Sequence, residues 1–289
     1  MNCSLCPRLC GADRQNGQRG ICGADHEMRV SRVMLHPWEE PCLGGSAGTV
    51  FFSGCSLGCV YCQNKAISRP QNGVLPGEIR DEAWLSEEML ALQSRGATCI
   101  DLVTPTHYAD RILAAVASVK DRLKIPVVWN TGGYETPETV RRCRGLVDIF
   151  LTDFKYGTAE AAEMYSHAPD YPETAAAALA EMFALVGAPV WEDDRLKRGI
   201  VLRHLVLPGG RKDSIAALRL AAKAAPPSSV ILSLMRQYTP DFAPPEMKML
   251  RRRITSFEYD SVLAEAVALG FDGYTQEKSS ASAAYTPDF

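Results

Sequence analysis

Three cysteines of this chain lie in Gly54-Cys55-Ser56-Leu57-Gly58-Cys59-Val60-Tyr61-Cys62-Gln63-Asn64, with the spacing C-x3-C-x2-C. Three thiolates on one tight loop can grip three corners of a [4Fe–4S] cubane and leave the fourth iron without a protein ligand. An open coordination position is what a catalytic metal centre needs and a structural one lacks. Gly54 and Gly58 suit such a loop, since the backbone must curl and turn its N–H groups toward sulfur. The plainer alternatives are half of a zinc site, or three cysteines that merely pack. Zinc usually takes paired C-x2-C units and requires a fourth ligand.

A second group, Cys3, Cys6, Cys10 and Cys22, reads C-x2-C-x3-C-x11-C, with Gly17, Gly20 and Gly23 as turn formers. Four thiolates can close a Zn²⁺ tetrahedron or fully ligate a second [4Fe–4S] cluster. So polar a segment orders poorly without a metal. Cys42, Cys99 and Cys143 stand alone in the sequence and read as small buried apolar side chains.

These residues need elements to hold them. Residues 28–34 alternate as a strand, and the apolar run 48–54 is a buried strand running straight into the C-x3-C-x2-C loop. Helix 82–93, strand 98–105, helix 108–123, strand 126–133 and helix 136–143 follow, the last with Thr136 as N-cap and Pro137 in its first position. Strand 147–156, a helix near 173–186, strand 199–208, helix 213–224, strand 229–235 and a helix near 258–269 complete the alternation. The charged stretch 191–199 reads as a surface loop. About six strand–helix repeats predict a parallel sheet covered by helices, short of the eight of a closed barrel. The expected fold is α/β, an open partial (β/α)6 barrel over 46–275, preceded by a cysteine-rich metal-binding segment at 1–45 and followed by a tail at 276–289. The 289 residues carry a net charge of −3, so nothing electrostatic points to nucleic acid or an anionic membrane. No apolar run reaches membrane-span length, and MNCSLCPRLC lacks a signal-peptide core, so a cytoplasmic protein is expected.

C-x3-C-x2-C after the first barrel strand resembles the radical S-adenosylmethionine (SAM) superfamily. FFSGC (51–55), YCQN (61–64), TPTHY (104–108), DFKY (153–156), RHLVLP (203–208) and the opening C-x2-C-P-R-x-C make the chain similar to pyruvate formate-lyase activating enzyme, in a divergent branch. The resemblance runs to about residue 270. It implies that SAM chelates the open iron through its amino and carboxylate groups. One electron then cleaves the S–C5′ bond, and the 5′-deoxyadenosyl radical takes hydrogen from a substrate. Cys55, Cys59 and Cys62 become the catalytic cluster ligands, and Tyr61 matches an aromatic position near the adenine. SAM contacts are implied at Asn64, Asn130, Thr131, Asp153, Lys155 and Arg203. Thr104, Thr106 and His107 stand where relatives carry a Gly-Gly-Glu segment. Asn130 replaces an Asp of the family, which removes a charge from an implied monovalent-cation site.

The implied activity is activation of a glycyl radical enzyme as protein substrate, with flavodoxin or ferredoxin as electron donor. The alternatives are a radical SAM enzyme acting on a small molecule or another protein, and a non-catalytic iron–sulfur or zinc protein. Individually, a strand-end Thr or Asn also caps helices, and Asp153 with Lys155 also reads as a plain ion pair. His36-Pro37-Trp38-Glu39-Glu40 reads first as fold closure and second as a substrate contact.

Overall fold

The computed structural model describes residues 3–277 and 280. Its strands are β1 (Met28–His36), β2 (Ala47–Phe52), β3 (Glu78–Arg80), β4 (Cys99–Val103), β5 (Val127–Thr131), β6 (Ile149–Asp153), β7 (Val190–Glu192), β8 (Arg195–Leu205), β9 (Ile231–Met235) and β10 (Asp272–Thr275). The helices are α1 (Lys65–Ser68), α2 (Glu82–Ser94), α3 (Ala109–Val119), α4 (Pro137–Arg142), α5 (Ala159–Ser166), α6 (Tyr171–Val186), α7 (Arg211–Ala224) and α8 (Ser256–Leu269). The sheet order is β10-β9-β8-β6-β5-β4-β2-β1-β3, parallel from β2 to β10, with β1 and β3 antiparallel at one end. From β2 onward each successive parallel strand adds beside the last in the same direction. That is the winding of a barrel; a doubly wound sheet reverses direction in the middle. Among the described residues no pairing joins β3 to β10, so the sheet stays open.

Period-two alternation gives the sheet two different faces. One packs against the helices around Trp129, Phe150, Leu102 and Leu202. The other is apolar near the strand starts, where Cys42, Cys99, Val128, Leu151 and Val201 cluster. Two residues further along four of those strands the same face carries Asp101, Asn130, Asp153 and Arg203. The polar layer is thus seated on an apolar floor, at the strand ends where such folds build their sites. Local signals agree with this frame: Thr136 caps α4 by accepting from the Thr139 N–H at 3.1 Å, with Pro137 at its first position.

Several elements depart from the sequence expectation, the short α1 and β3 among them. Residues 191–199 are not a loop: β7 and β8 form a hairpin pairing Glu192 with Arg195 across Asp193-Asp194, and Asp193 takes φ 52°. Aspartate tolerates the left-handed conformation that tight hairpin turns require. Helix α5, capped by Thr158, and strand β10, which adds to β9, were not expected. Among the described residues no helix is long and apolar enough to cross a membrane. Of the expected tail, residues 278–279 and 281–289 lie outside the described residues.

Candidate active site

The loop after β2 turns at Gly54 (φ 95°) and Gly58 (φ 60°), conformations that side-chain-bearing residues rarely adopt. The N–H groups of Gly58 and Leu57 reach the Cys55 sulfur. The Cys62 N–H bonds the Cys59 carbonyl at 3.1 Å. Cys55, Cys59 and Cys62 all line one cavity of about 150 Å³ with Asn64, Thr104, Asn130, Thr131, Gly132, Asp153, Lys155 and Arg203. Burial pushes the Cys62 thiol up to about 12 and also raises Cys55, with neighbouring cysteines adding to both. Thiols so buried become thiolates only beside positive charge, which a metal cluster supplies and Lys155 adds to. Among the described residues no set of three or more His, Cys, Asp or Glu side chains converges as one metal ion needs. A cubane takes each thiolate on a different iron, so it does not ask for that convergence. Gly132 completes the cradle: a Cβ there would lie 2.9 Å from Leu57 Cδ1 and 3.4 Å from Lys155 Cε. The donors and the space therefore fit an iron–sulfur cluster.

Opposite the cysteines, Asp153 receives Lys155 Nζ at 2.5 Å and Arg203 Nε at 2.9 Å. Burial would raise its pKa, but Arg203 and Lys155 outweigh burial and hold it below the usual carboxylate range. Any monovalent cation at Asp153 therefore competes with two side-chain cations. Arg203 Nη2 donates to Asn130 Oδ1 at 2.7 Å, while Asn130 Nδ2 donates to Asp101 Oδ2 at 3.3 Å. An amide both accepts and donates, so Asn130 bridges a cation and a carboxyl group where an aspartate would face Asp101 with like charge. Burial, together with the charge of Glu39, drives Asp101 well upward.

A wider cleft of about 420 Å³ shares Asn64, Val103, Asn130 and Arg203 with this cavity and opens past His36, Trp38, Glu39 and Glu40. The residues 36–40 thus form a cleft wall at the site as well as a closing turn.

Other expected site residues lie elsewhere. Tyr61 is buried behind the loop, its hydroxyl 2.9 Å from that of Tyr156. Thr106 donates to Glu135 at 2.6 Å, and His107 Nε2 bonds the Ser53 carbonyl at 2.7 Å; both are buried and neither lines the cavity. Three residues escaped the sequence reading. Glu135 is fully buried and its Oε1 receives Thr106, Thr131 and Trp129. Ser166, at the end of α5, donates to Cys59 Sγ at 3.1 Å. Asp101 had a signal, a charge inside the apolar run Cys99–Val103; Ser166 had none. The N-terminal segment packs against the back of the loop. Arg8 donates to the carbonyls of Ser56 (2.9 Å) and Ser166 (2.7 Å), and the Cys22 carbonyl accepts from the Cys55 N–H at 3.3 Å.

No protein-family model matches the chain. An uncharacterized protein of Methanocaldococcus jannaschii is 28% identical over 279 residues, 94% of this chain and 76% of that protein. Among solved structures, a radical SAM methyltransferase from Sphaerobacter thermophilus matches with TM-score 0.54 at 13% identity, over 79% of this chain and 65% of that one. Methylornithine synthase PylB matches with TM-score 0.50 at 16% identity, over 78% and 66%, and SuiB of Streptococcus suis with TM-score 0.51 at 9% identity, over 78% and 47%. The chain thus spans about two thirds of the first two and about half of the third. At these identities the likeness concerns architecture alone: the open, parallel-dominated α/β sheet described above is the fold that the chain shares with these structures.

Proposed function

We propose that this chain is a radical SAM enzyme whose cluster is held by Cys55, Cys59 and Cys62. The observation that carries the proposal is the meeting of those three sulfurs with Asn130, Asp153, Lys155 and Arg203 around one cavity at the strand ends. A [4Fe–4S] cluster bound there supplies the electron that cleaves SAM and so the radical that takes hydrogen from a substrate. The residues of the chain do the rest. Arg203, Asn130 and Asn64 present donors and acceptors for the polar groups of SAM, and Gly132 keeps the wall thin enough for close approach. Lys155 stands within Coulombic reach of all three cluster cysteines and offsets their charge. Phe51, Val103 and Met235 wall the wider cleft with apolar surface that limits water around a reactive species.

Reductive SAM cleavage by reconstituted protein tests this, wild type against Cys59→Ala. Deoxyadenosine is expected from the wild type alone; equal amounts from both sink the proposal.

For the substrate, the motif resemblance supports a backbone glycine of a glycyl radical enzyme, with an electron donor of the flavodoxin or ferredoxin class. A glycine radical on a co-expressed partner, seen by electron paramagnetic resonance without oxygen, is the expected sign. The walled cleft of about 420 Å³ supports a second reading, a small-molecule substrate. Deoxyadenosine formation accelerated by one metabolite, with no partner radical, would select it.

A further inference from the structure

The four N-terminal cysteines lie outside the cavity of the proposed reaction, yet they are arranged as ligands. A backbone N–H two residues downstream reaches the sulfur of three of them: Arg8 for Cys6, Ala12 for Cys10 and Ala24 for Cys22. The Ile21 N–H adds a second donor at Cys10. The same two-residue step brings Leu57 to the Cys55 sulfur in the cluster loop. Such N–H donors are the contacts that cluster-ligating sulfurs accept. Gly20 makes room for the sulfurs: a Cβ there would lie 3.2 Å from Cys10 Sγ and 3.3 Å from Cys22 Sγ. Cys3 hydrogen-bonds Cys10, and Arg14 Nη1 lies 3.9 Å from Cys3 Sγ, anchored by Nε on the Asp25 carbonyl at 2.7 Å.

The set abuts the first site. Cys22 bonds Cys55 backbone to backbone at 3.3 Å, and a Cβ on Gly54 would lie 2.8 Å from that same Cys22 carbonyl. Structural zinc has no use for that proximity, and an electron carrier does.

We infer that Cys3, Cys6, Cys10 and Cys22 hold a second [4Fe–4S] cluster, ligated at all four irons, placed to hand single electrons to the cluster at Cys55, Cys59 and Cys62. With no iron open, this centre transfers electrons and does not bind SAM. One electron leaves the second cluster as one enters the first; no proton moves, and a low-potential flavodoxin- or ferredoxin-class donor re-reduces the second. The hand-over rests on the loop-cluster proposal, whereas the second cluster stands without it.

The test is metal and sulfide analysis of full-length protein, isolated and reconstituted without oxygen. The Cys55→Ala/Cys59→Ala/Cys62→Ala variant is expected to keep about four irons and four sulfides per chain and a paramagnetic signal on reduction, against about eight irons in the wild type. A wild type stopping at about four irons, or either protein carrying about one zinc per chain as isolated, overturns the assignment. These counts do not depend on SAM cleavage, so they separate this inference from the proposed function. For the hand-over, the spectrum of fully reduced wild type should show spin coupling absent from the summed spectra of the triple variant and Cys6→Ser/Cys22→Ser. A spectrum equal to that sum refutes it.

Discussion

Asp153 answers to two cations at once, and its removal measures what the polar wall is worth. In Asp153→Asn, Lys155 and Arg203 lose the carboxylate that pairs them while staying largely buried, at 23% and 18% side-chain exposure. Breaking a fully buried pair costs about 3–5 kcal/mol; partial access to the cavity brings the expected loss to about 2–3 kcal/mol, read from urea unfolding. Ser166 makes a subtler prediction. Its hydroxyl donates to Cys59 Sγ at 3.1 Å and is linked through Tyr156, at 2.7 Å, to Tyr61. Hydrogen bonds to ligand sulfur stabilise the reduced, more negative cluster, so Ser166→Ala should shift the loop cluster to lower potential in a redox titration. An unchanged potential would mean that the contact is only packing. At this scale the sequence was legible where chemistry forces a spacing, as in the cysteine loop, or a place, as at the strand ends of Asn130, Asp153 and Arg203. Ser166 was illegible because its role depends on where α5 docks, more than a hundred residues from Cys59. Thr104 lay between: its position at the end of β4 was readable, its strained φ of 58° was not.

The loop between β2 and α1 is the element on which the site turns, and Gly58 is its hinge. A Cβ there would lie 1.6 Å from Arg69 Nη2, the atom that donates to the Gly58 carbonyl at 2.7 Å, and φ is 60°. The arginine tip can swing aside, but the left-handed backbone still costs an alanine about 1–2 kcal/mol. Gly58→Ala should therefore lower iron bound at the loop while the overall helix signal in circular dichroism stays; Arg69→Ala alone should lower it less. Equal iron in Gly58→Ala and wild type would show that the loop tolerates other paths. Most elements were legible because helix and strand periods differ and caps such as Thr136-Pro137 mark the starts. The β7–β8 hairpin was hidden by its charge: Glu192 and Arg195 are exposed strand residues, and composition alone sends such residues to loops. Strand β10 was hidden because Asp272 and Gly273 are poor strand formers, which parallel pairing to β9 overrides.

At the scale of the molecule, an open sheet wound in one direction places all its parallel strand ends on one rim, and two buried histidines lie beneath that rim. His204 on β8 bonds the Phe154 carbonyl through Nδ1 at 2.6 Å, and His107 bonds the Ser53 carbonyl through Nε2 at 2.7 Å. The other nitrogen of each ring has no partner among the described residues. Burial lowers both to about 4, outweighing the carbonyl contacts that would raise them. In the unfolded chain a histidine titrates near 6.5. Between those values the unfolded state binds a proton at each site that the folded state refuses, so stability falls as pH falls across that window. The stabilisation is whole above about pH 6.5 and gone near pH 4, and two and a half units correspond to about 3 kcal/mol per histidine. Urea midpoints measured from pH 7.5 down to 4.5 should decline steeply through this range, and His204→Gln should flatten the decline by about half while retaining a donor toward Phe154. A variant with the wild-type slope would sink this account of His204, since paired carboxylates lose their contribution only at lower pH, below their unfolded values near 4.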